Sequence, residues 1–264
     1  MTILDKILQT KRLEVKQLLM KEHVVSCGTL TKQRPSLFET LQQSDCLKVI
    51  AEIKRASPSK GIIADNADPV AQALAYEKAG AKCISILTDA QFFKGSFDDL
   101  AAVAEVVSTP LLCKDFIIHE VQINQAKQAG ASVILLIVAA LDDATLKRLH
   151  DYATNEGLEV LVEVHDAKEL ERALAVNAIL VGVNNRDLRT FNVDIAKTEE
   201  VAAHFPFNEN RIYISESGIM NAEDAKRAAA AGASAILVGE TLMRSSSIEE
   251  SLRSLQVPKV GVTL

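Results

Sequence analysis

Apolar residues in this chain fall into short, nearly unbroken runs, separated by segments whose polar and apolar positions alternate with helical spacing. Three of the runs share one punctuation mark. Ala79-Gly80-Ala81 precedes Cys83–Leu87, Ala129-Gly130-Ala131 precedes Val133-Ile134-Leu135-Leu136, and Ala231-Gly232-Ala233 precedes Ala235–Val238. Glycine takes the left-handed position just past a helix end, and the apolar run that follows starts a buried strand. The three glycines lie about two and about four units of roughly 25 residues apart, a usual βα length in closed barrels. Filling the gaps predicts eight strands, at 49–54, 83–87, 111–114, 133–136, 160–163, 179–183, 212–215 and 235–238, with helices between them such as 69–78 and 222–231.

Near-continuous apolar strands alternating with helices are parallel strands covered on both faces. A doubly wound open sheet shares that pattern. Eight units within 264 residues favour instead an α/β closed barrel, the (β/α)8 or TIM barrel, with an extra N-terminal helical segment. Residues 1–264 are expected to form a single domain. Residues 1–45 are expected to add one or two helices and a loop, packed against or capping a barrel at 46–264. No linker rich in Pro, Gly or Ser divides the chain. Residues 1–20 alternate apolar and charged positions as an amphipathic helix does, and lack the unbroken apolar centre of a signal peptide. No apolar stretch reaches the ~18 residues of a membrane span.

Composition narrows the partners. A net charge of -6 argues against a nucleic-acid partner, since phosphate backbones need a basic face. It leaves room for a small anion in a locally positive pocket. Trp is absent and aromatic residues are 4% of the chain, which disfavours a base-stacking platform. Cys27, Cys46, Cys83 and Cys113 form no CxxC pair and fit no zinc spacing. Cys83 and Cys113 sit in apolar runs as buried thiols, so a reducing, cytoplasmic setting without disulfides is expected. No metal-ligand spacing and no glycine-rich dinucleotide motif is present. The expectation is therefore no metal, no cofactor, no nucleic acid and no membrane. A small phosphorylated substrate remains, handled by a monomer.

In a (β/α)8 barrel the chemistry lies at the C-terminal ends of the strands. In Val49-Ile50-Ala51-Glu52-Ile53-Lys54, Ile50, Glu52 and Lys54 share one face. They are either part of a pocket or an ion pair that orders the barrel. Lys114 follows Leu111-Leu112-Cys113, and an amine there is costly to bury unless paired or functional. It suits a general acid or a Schiff-base nucleophile. Glu163 ends Leu161-Val162, a place for a general base or for an electrostatic partner of the lysines. His165, two residues on, reads more readily as a loop or cap residue than as a catalyst. Asn184 and Arg186, in Gly182-Val183-Asn184-Asn185-Arg186-Asp187, suit a hydroxyl and a carboxylate, or a solvated turn. Glycines in Ser215-Glu216-Ser217-Gly218-Ile219 and Val238-Gly239-Glu240-Thr241 let backbone N–H groups approach a phosphate at the usual position in this fold. Glu240 is expected to face the anion with its amide and to point its carboxylate elsewhere.

Ile50-Ala51-Glu52-Ile53-Lys54-Arg55-Ala56-Ser57-Pro58-Ser59-Lys60-Gly61 resembles the signature of the indole-3-glycerol-phosphate synthase family. Ser85-Ile86-Leu87-Thr88-Asp89, Leu112-Cys113-Lys114-Asp115-Phe116, Gly182 to Leu188, Ser215 to Ile219 and Val238-Gly239-Glu240-Thr241-Leu242-Met243 resemble further family segments in the same order. The resemblance runs from the N-terminal helix to about Met243. It implies a decarboxylating carbon–carbon lyase of tryptophan biosynthesis, without the second, isomerase barrel fused to some relatives. By this resemblance Lys114 is the general acid of ring closure. Glu163 is the base or the stabiliser of a developing cation, and Glu52 and Lys54 serve proton removal and dehydration. Asn184 is a further catalytic position. Ser57, Pro58, Phe116, Arg186, Glu216, Ser217 and Leu237 contact the substrate, and Lys54, Gly218, Gly239 and Glu240 its phosphate. Relatives with Ser in place of Glu240 leave that side chain's role open. An aldolase using Lys114 as a Schiff base, a non-catalytic binder of a phosphorylated metabolite, and a neighbouring-pathway isomerase barrel are the competing readings.

Overall fold

The computed structural model describes residues 2–21, 32–42, 45–187 and 190–259. Met1, Cys27 and Leu188, which the sequence reading drew on, lie outside them. Eight parallel strands close into a barrel. In chain order they are β1 (Lys48–Ile53), β4 (Cys83–Leu87), β5 (Leu111–Lys114), β6 (Val133–Ile137), β7 (Glu159–Val164), β8 (Leu180–Asn184), β9 (Ile212–Glu216) and β10 (Ala235–Val238). A short antiparallel hairpin, β2 (Ala56–Ser57) and β3 (Gly61–Ile62), stands in the loop after β1. The (β/α)8 barrel expected from the repeat is thus the observed fold.

The helices start and stop where local chemistry directs. α3 (Pro69–Lys78) opens with Pro at its first turn and with Asp68 accepting from the Val70 amide, which satisfies a donor that has no intrahelical partner. α10 (Ala222–Ala230) opens on a capping box between Asn221 and Asp224. The repeated glycines do end helices. Gly80, Gly130 and Gly232 have φ of 92°, 90° and 91°, a region that costs L-residues steric strain. Two boundaries moved. Lys54 lies just past β1, and Ile179 lies before β8 with 41% of its surface exposed. Ile179 still accepts a ladder hydrogen bond from Ile212 through its carbonyl, but its side chain stands outside both apolar layers.

Those layers are distinct. One lies between the strands and the surrounding helices. The other fills the barrel interior and includes Ile50, Leu112, Leu135, Leu161, Ile214 and Leu237. Residues before β1 close both ends of the barrel. α2 (Leu37–Gln42) contributes Leu37 and Leu41, both fully buried, to the interior layer. Its first amides, Leu37 and Phe38, donate to the carboxylate of Glu159, the first residue of β7. α2 therefore seals the N-terminal end. α1 (Ile3–Lys21) lies at the opposite end, where Lys11 is buried against Asp89 beyond β4 and Asp115 beyond β5, at 2.9 and 2.7 Å. Among the described residues no helix is long and apolar enough to cross a membrane, and no group of His, Cys, Asp and Glu is arranged to hold a metal ion.

Candidate active site

A cavity of about 690 Å³ opens at the C-terminal ends of the strands. Every site residue expected from the sequence lines it: Glu52, Lys54, Ser57, Pro58, Lys114, Phe116, Glu163, Asn184, Arg186, Glu216, Ser217, Gly218, Leu237, Gly239 and Glu240. These residues come from six strand ends and the loops that follow them, and they meet there because the period-two alternation turns each strand's last inward side chain to one common space. The sequence did not reveal the roof, formed by Ile3, Leu4 and Ile7 of α1.

Lys114 is the centre of the charged groups. Its Nζ donates to Glu163 Oε2 at 3.2 Å and lies 3.6 Å from Glu216 Oε2. Burial works against its charge, but Glu163, Glu216 and Glu52 together outweigh that cost and hold the ammonium well above the ordinary lysine range. The amine is therefore a charged donor in the resting enzyme. Glu163 is buried as well, yet Lys114, His165 and the amide of Asn184 keep its carboxyl below the usual range. Asn184 donates through Nδ2 to Glu163 Oε1 at 3.1 Å, and its own Oδ1 accepts from the Arg186 amide. Glu163 thus has one oxygen on the acid and the other on a fixed amide.

Glu216 behaves oppositely. Burial and the nearby charges of Glu163 and Glu52 push its carboxyl up to about 8 despite Lys114. Its Oε1 is buried without a hydrogen-bond partner. Two carboxylates around one lysine are thus pushed in opposite directions, a device that separates acid from base. Gly182 on β8 makes room for this, since a Cβ there would collide with Glu216 Oε1. The Glu52–Lys54 pair forms at 2.5 Å on the β1 side of the cavity. Pocket residues and ion pair, which the sequence left as alternatives, are both present in these two side chains.

Ser217 and Gly218, just beyond β9, have φ of 65° and 84°. Both line the cavity, and the missing Cβ of Gly218 leaves its backbone open to close approach. Gly239 precedes α11 (Glu240–Met243), whose first turn also faces the cavity. The Glu240 carboxylate turns toward Arg244 at 3.3 Å and Lys60 at 3.7 Å. Arg244 lines the cavity too and went unremarked in the sequence, because nothing distinguishes it there from a surface cation. His165 is the loop residue expected, between β7 and the helix that follows, and its ring is nearly buried between Glu163 and Glu169. Its separation of two from Glu163 and four from Glu169 was the available signal.

Fold and site together define a (β/α)8-barrel enzyme in which a charged lysine is held among carboxylates, beside the glycines that follow the last two strands. The sequence model of the family "Indole-3-glycerol phosphate synthase" matches residues 4–255. Proteins named indole-3-glycerol phosphate synthase are 51% identical in Oceanobacillus iheyensis over 98% of both chains, and 52% identical in Exiguobacterium sibiricum over 94% of both. One from Bacillus cereus is 49% identical over 97% of this chain and 98% of its own. The chain belongs to the indole-3-glycerol phosphate synthase family, decarboxylating lyases of tryptophan biosynthesis.

Proposed function

We propose that this chain closes the indole ring of 1-(2-carboxyphenylamino)-1-deoxyribulose 5-phosphate. The ring carbon bearing the carboxylate attacks the ribulose C2 carbonyl. Carbon dioxide and then water leave, giving indole-3-glycerol phosphate. Attack by an aromatic ring breaks its aromaticity, so the carbonyl oxygen must be protonated while the cation in the ring is stabilised. A preorganised acid and anion in a dry cavity supply both.

The observation that carries this reading is the Lys114 ammonium bonded to Glu163 beside Glu216, in one cavity with the Glu52–Lys54 pair. Lys114 is the general acid of ring closure. Its raised pKa supports that role over a Schiff-base nucleophile, which has to be neutral to attack. Glu163 stabilises the cation and serves as base. Lys54 and Glu52 serve the dehydration as acid and base. Asn184 fixes Glu163, and Arg186 meets the anthranilate carboxylate. Phe116, Pro58, Ser57 and Leu237 pack on the substrate. Glu216 and Ser217 bond its hydroxyls, and Gly218, Gly239 and the Glu240 amide hold the phosphate with help from Lys54. Anchoring the phosphate far from the new bond turns remote binding energy into positioning. The chain works as a single-domain monomer in the cytoplasm, without metal or cofactor.

The test is indole fluorescence on adding the substrate to purified protein. The chain contains no Trp, so the product signal stands on a low background. A signal in the parent and a loss of about 10²–10⁴ in kcat for Lys114→Ala are expected, the range for removing a general acid. Binding without any product would overturn the assignment.

A further inference from the structure

The reaction just proposed takes up a proton from solvent. The substrate carboxylate leaves as neutral carbon dioxide, and the ribulose oxygen leaves as water. Two protons go to that oxygen, one when the carbonyl is attacked and one when the hydroxyl departs. Only one returns to the protein, from the carbon that becomes C2 of the indole. Each turnover therefore leaves the site one proton short. The lysine that lost it keeps only 14% of its side chain exposed, and a bound substrate would fill the space above it.

Among the described residues a side-chain route runs from that lysine toward the surface on the α8 side of the barrel. Lys114 Nζ is 3.2 Å from Glu163 Oε2. Glu163 Oε1 is 3.5 Å from His165 Nε2, and His165 Nδ1 is 2.9 Å from Glu169 Oε2. Glu169 sits in the first turn of α8 (Ala167–Ala175) with 18% of its side chain exposed. Glu163 and Glu169 thus hold the imidazole from both sides. His165 Nε2 is buried and makes no hydrogen bond in the resting site, so it is aimed at Glu163 without being committed to it.

We propose that His165, fixed by Glu169, is the positioning residue that reloads the Glu163–Lys114 pair with a proton from solvent after each ring closure. The step balances with one proton. The imidazolium gives its Nε2 proton to the ionised Glu163 carboxylate, and the carboxyl turns to hand that same proton to the neutral Lys114 amine. The imidazole, which kept its Nδ1 proton, turns its bare Nε2 to water at the α8 edge and takes up one proton there. No oxidant, metal or second substrate is needed. The groups facing the ring are Glu163 from β7, Glu169 from α8 and Lys197 from α9 (Ala196–Ala202). Burial and Lys197 oppose the imidazolium, while the bond to Glu169 and the charge of Glu163 favour it and prevail. A charged imidazole with one proton pointed at the base is what reloading needs.

The inference rests on the proposed reaction, and the experiment separates the two. Parent protein that makes no product removes the reaction itself. With an active parent, His165→Ala is expected to lower kcat about tenfold or more while KM changes little, a share of the general acid–base range. Added imidazole should restore kcat in a saturable way, most strongly below neutral pH where it is protonated. A purely structural loss would not respond to it. His165→Gln keeps a donor but cannot ionise, so it should stay slow. Glu169→Gln should slow turnover less, in the same sense, and it decides the matter if the histidine variants fail to fold. Full kcat in His165→Gln, or a slow His165→Ala that imidazole does not rescue, would overturn the relay.

Discussion

The two ends of the barrel are closed by helices from the same N-terminal stretch, in opposite ways. At the lower end α2 inserts Leu37 and Leu41 into the interior layer, and its free amides rest on Glu159. That closure is apolar and its polar groups are satisfied. At the upper end α1 is fixed by Lys11, only 2% exposed, against Asp89 and Asp115 with Glu14 beside them. That closure is ionic, and it adjoins Lys114 and Phe116 through Asp115. The lower end is built for stability, where burial of side chains is non-directional and tolerant. The upper end holds charges whose positions matter, so its closure is directional and its failure should be felt in function.

The largest expected effect comes from breaking the upper closure. Lys11→Met keeps the stem's bulk and removes the charge, leaving Asp89 and Asp115 buried without their cation. Removing one partner of a buried pair costs about 3–5 kcal/mol. Asp115 also accepts from Thr88 and from the Phe116 amide, so its shift would move the strand end that carries Lys114. Chemical denaturation should show the loss, and KM should rise because Ile3, Leu4 and Ile7 leave the cavity roof. An unchanged KM would show that α1 closes the barrel without shaping the site.

Leu41→Ala breaks the lower closure. A fully buried leucine truncated in a packed interior costs about 2–5 kcal/mol. Here kcat and KM of the folded fraction should remain those of the parent, since α2 lies at the far end from Lys114. A loss of kcat at temperatures where the variant is fully folded would deny the division of labour between the ends.

The barrel and its cavity were legible in the sequence; the contrast between its two ends was not, for physical causes. The glycines at 80, 130 and 232 fixed the helix ends because only a left-handed turn places glycine so regularly. Polar residues ending apolar strands marked the cavity, because parallel strands in a barrel bring all their C-terminal ends to one face. Lys11 was hidden. In an amphipathic helix beside Lys6 and Arg12 it looks like any solvated charge, and only Asp89 and Asp115, about 80 and 100 residues away by chain position, make it a buried one. Glu159 was hidden likewise, since its work is to cap a helix distant in sequence. Ile179 misled by being apolar next to an apolar strand, where burial depends on which layer the side chain reaches.

The sharpest test distinguishes the two ends by pH. Below about 4.5, the ordinary glutamate value, Glu216 holds its proton whether the chain is folded or not. As pH rises, the unfolded chain releases that proton while the folded one keeps it until about 8. Stability contributed by the protonated side chain is therefore fully present at acid pH, declines through this window, and is gone above it. Glu216→Gln never ionises in either state. Its melting temperature relative to the parent should rise steadily between about pH 5 and pH 8 and then level off. Groups remote from Glu216 titrate in both proteins and cancel in the difference, while its neighbours Lys114 and Glu163 are shifted away from this window, up and down respectively. Leu41→Ala changes no charge, so its difference from the parent should be flat across the same range. A flat difference for Glu216→Gln as well would mean that the carboxylate ionises in the folded protein near its ordinary value. The upper end would then hold Glu52, Glu163 and Glu216 all charged around Lys114, and the separation of acid from base in the cavity would have to come from Lys114 and Lys54 alone.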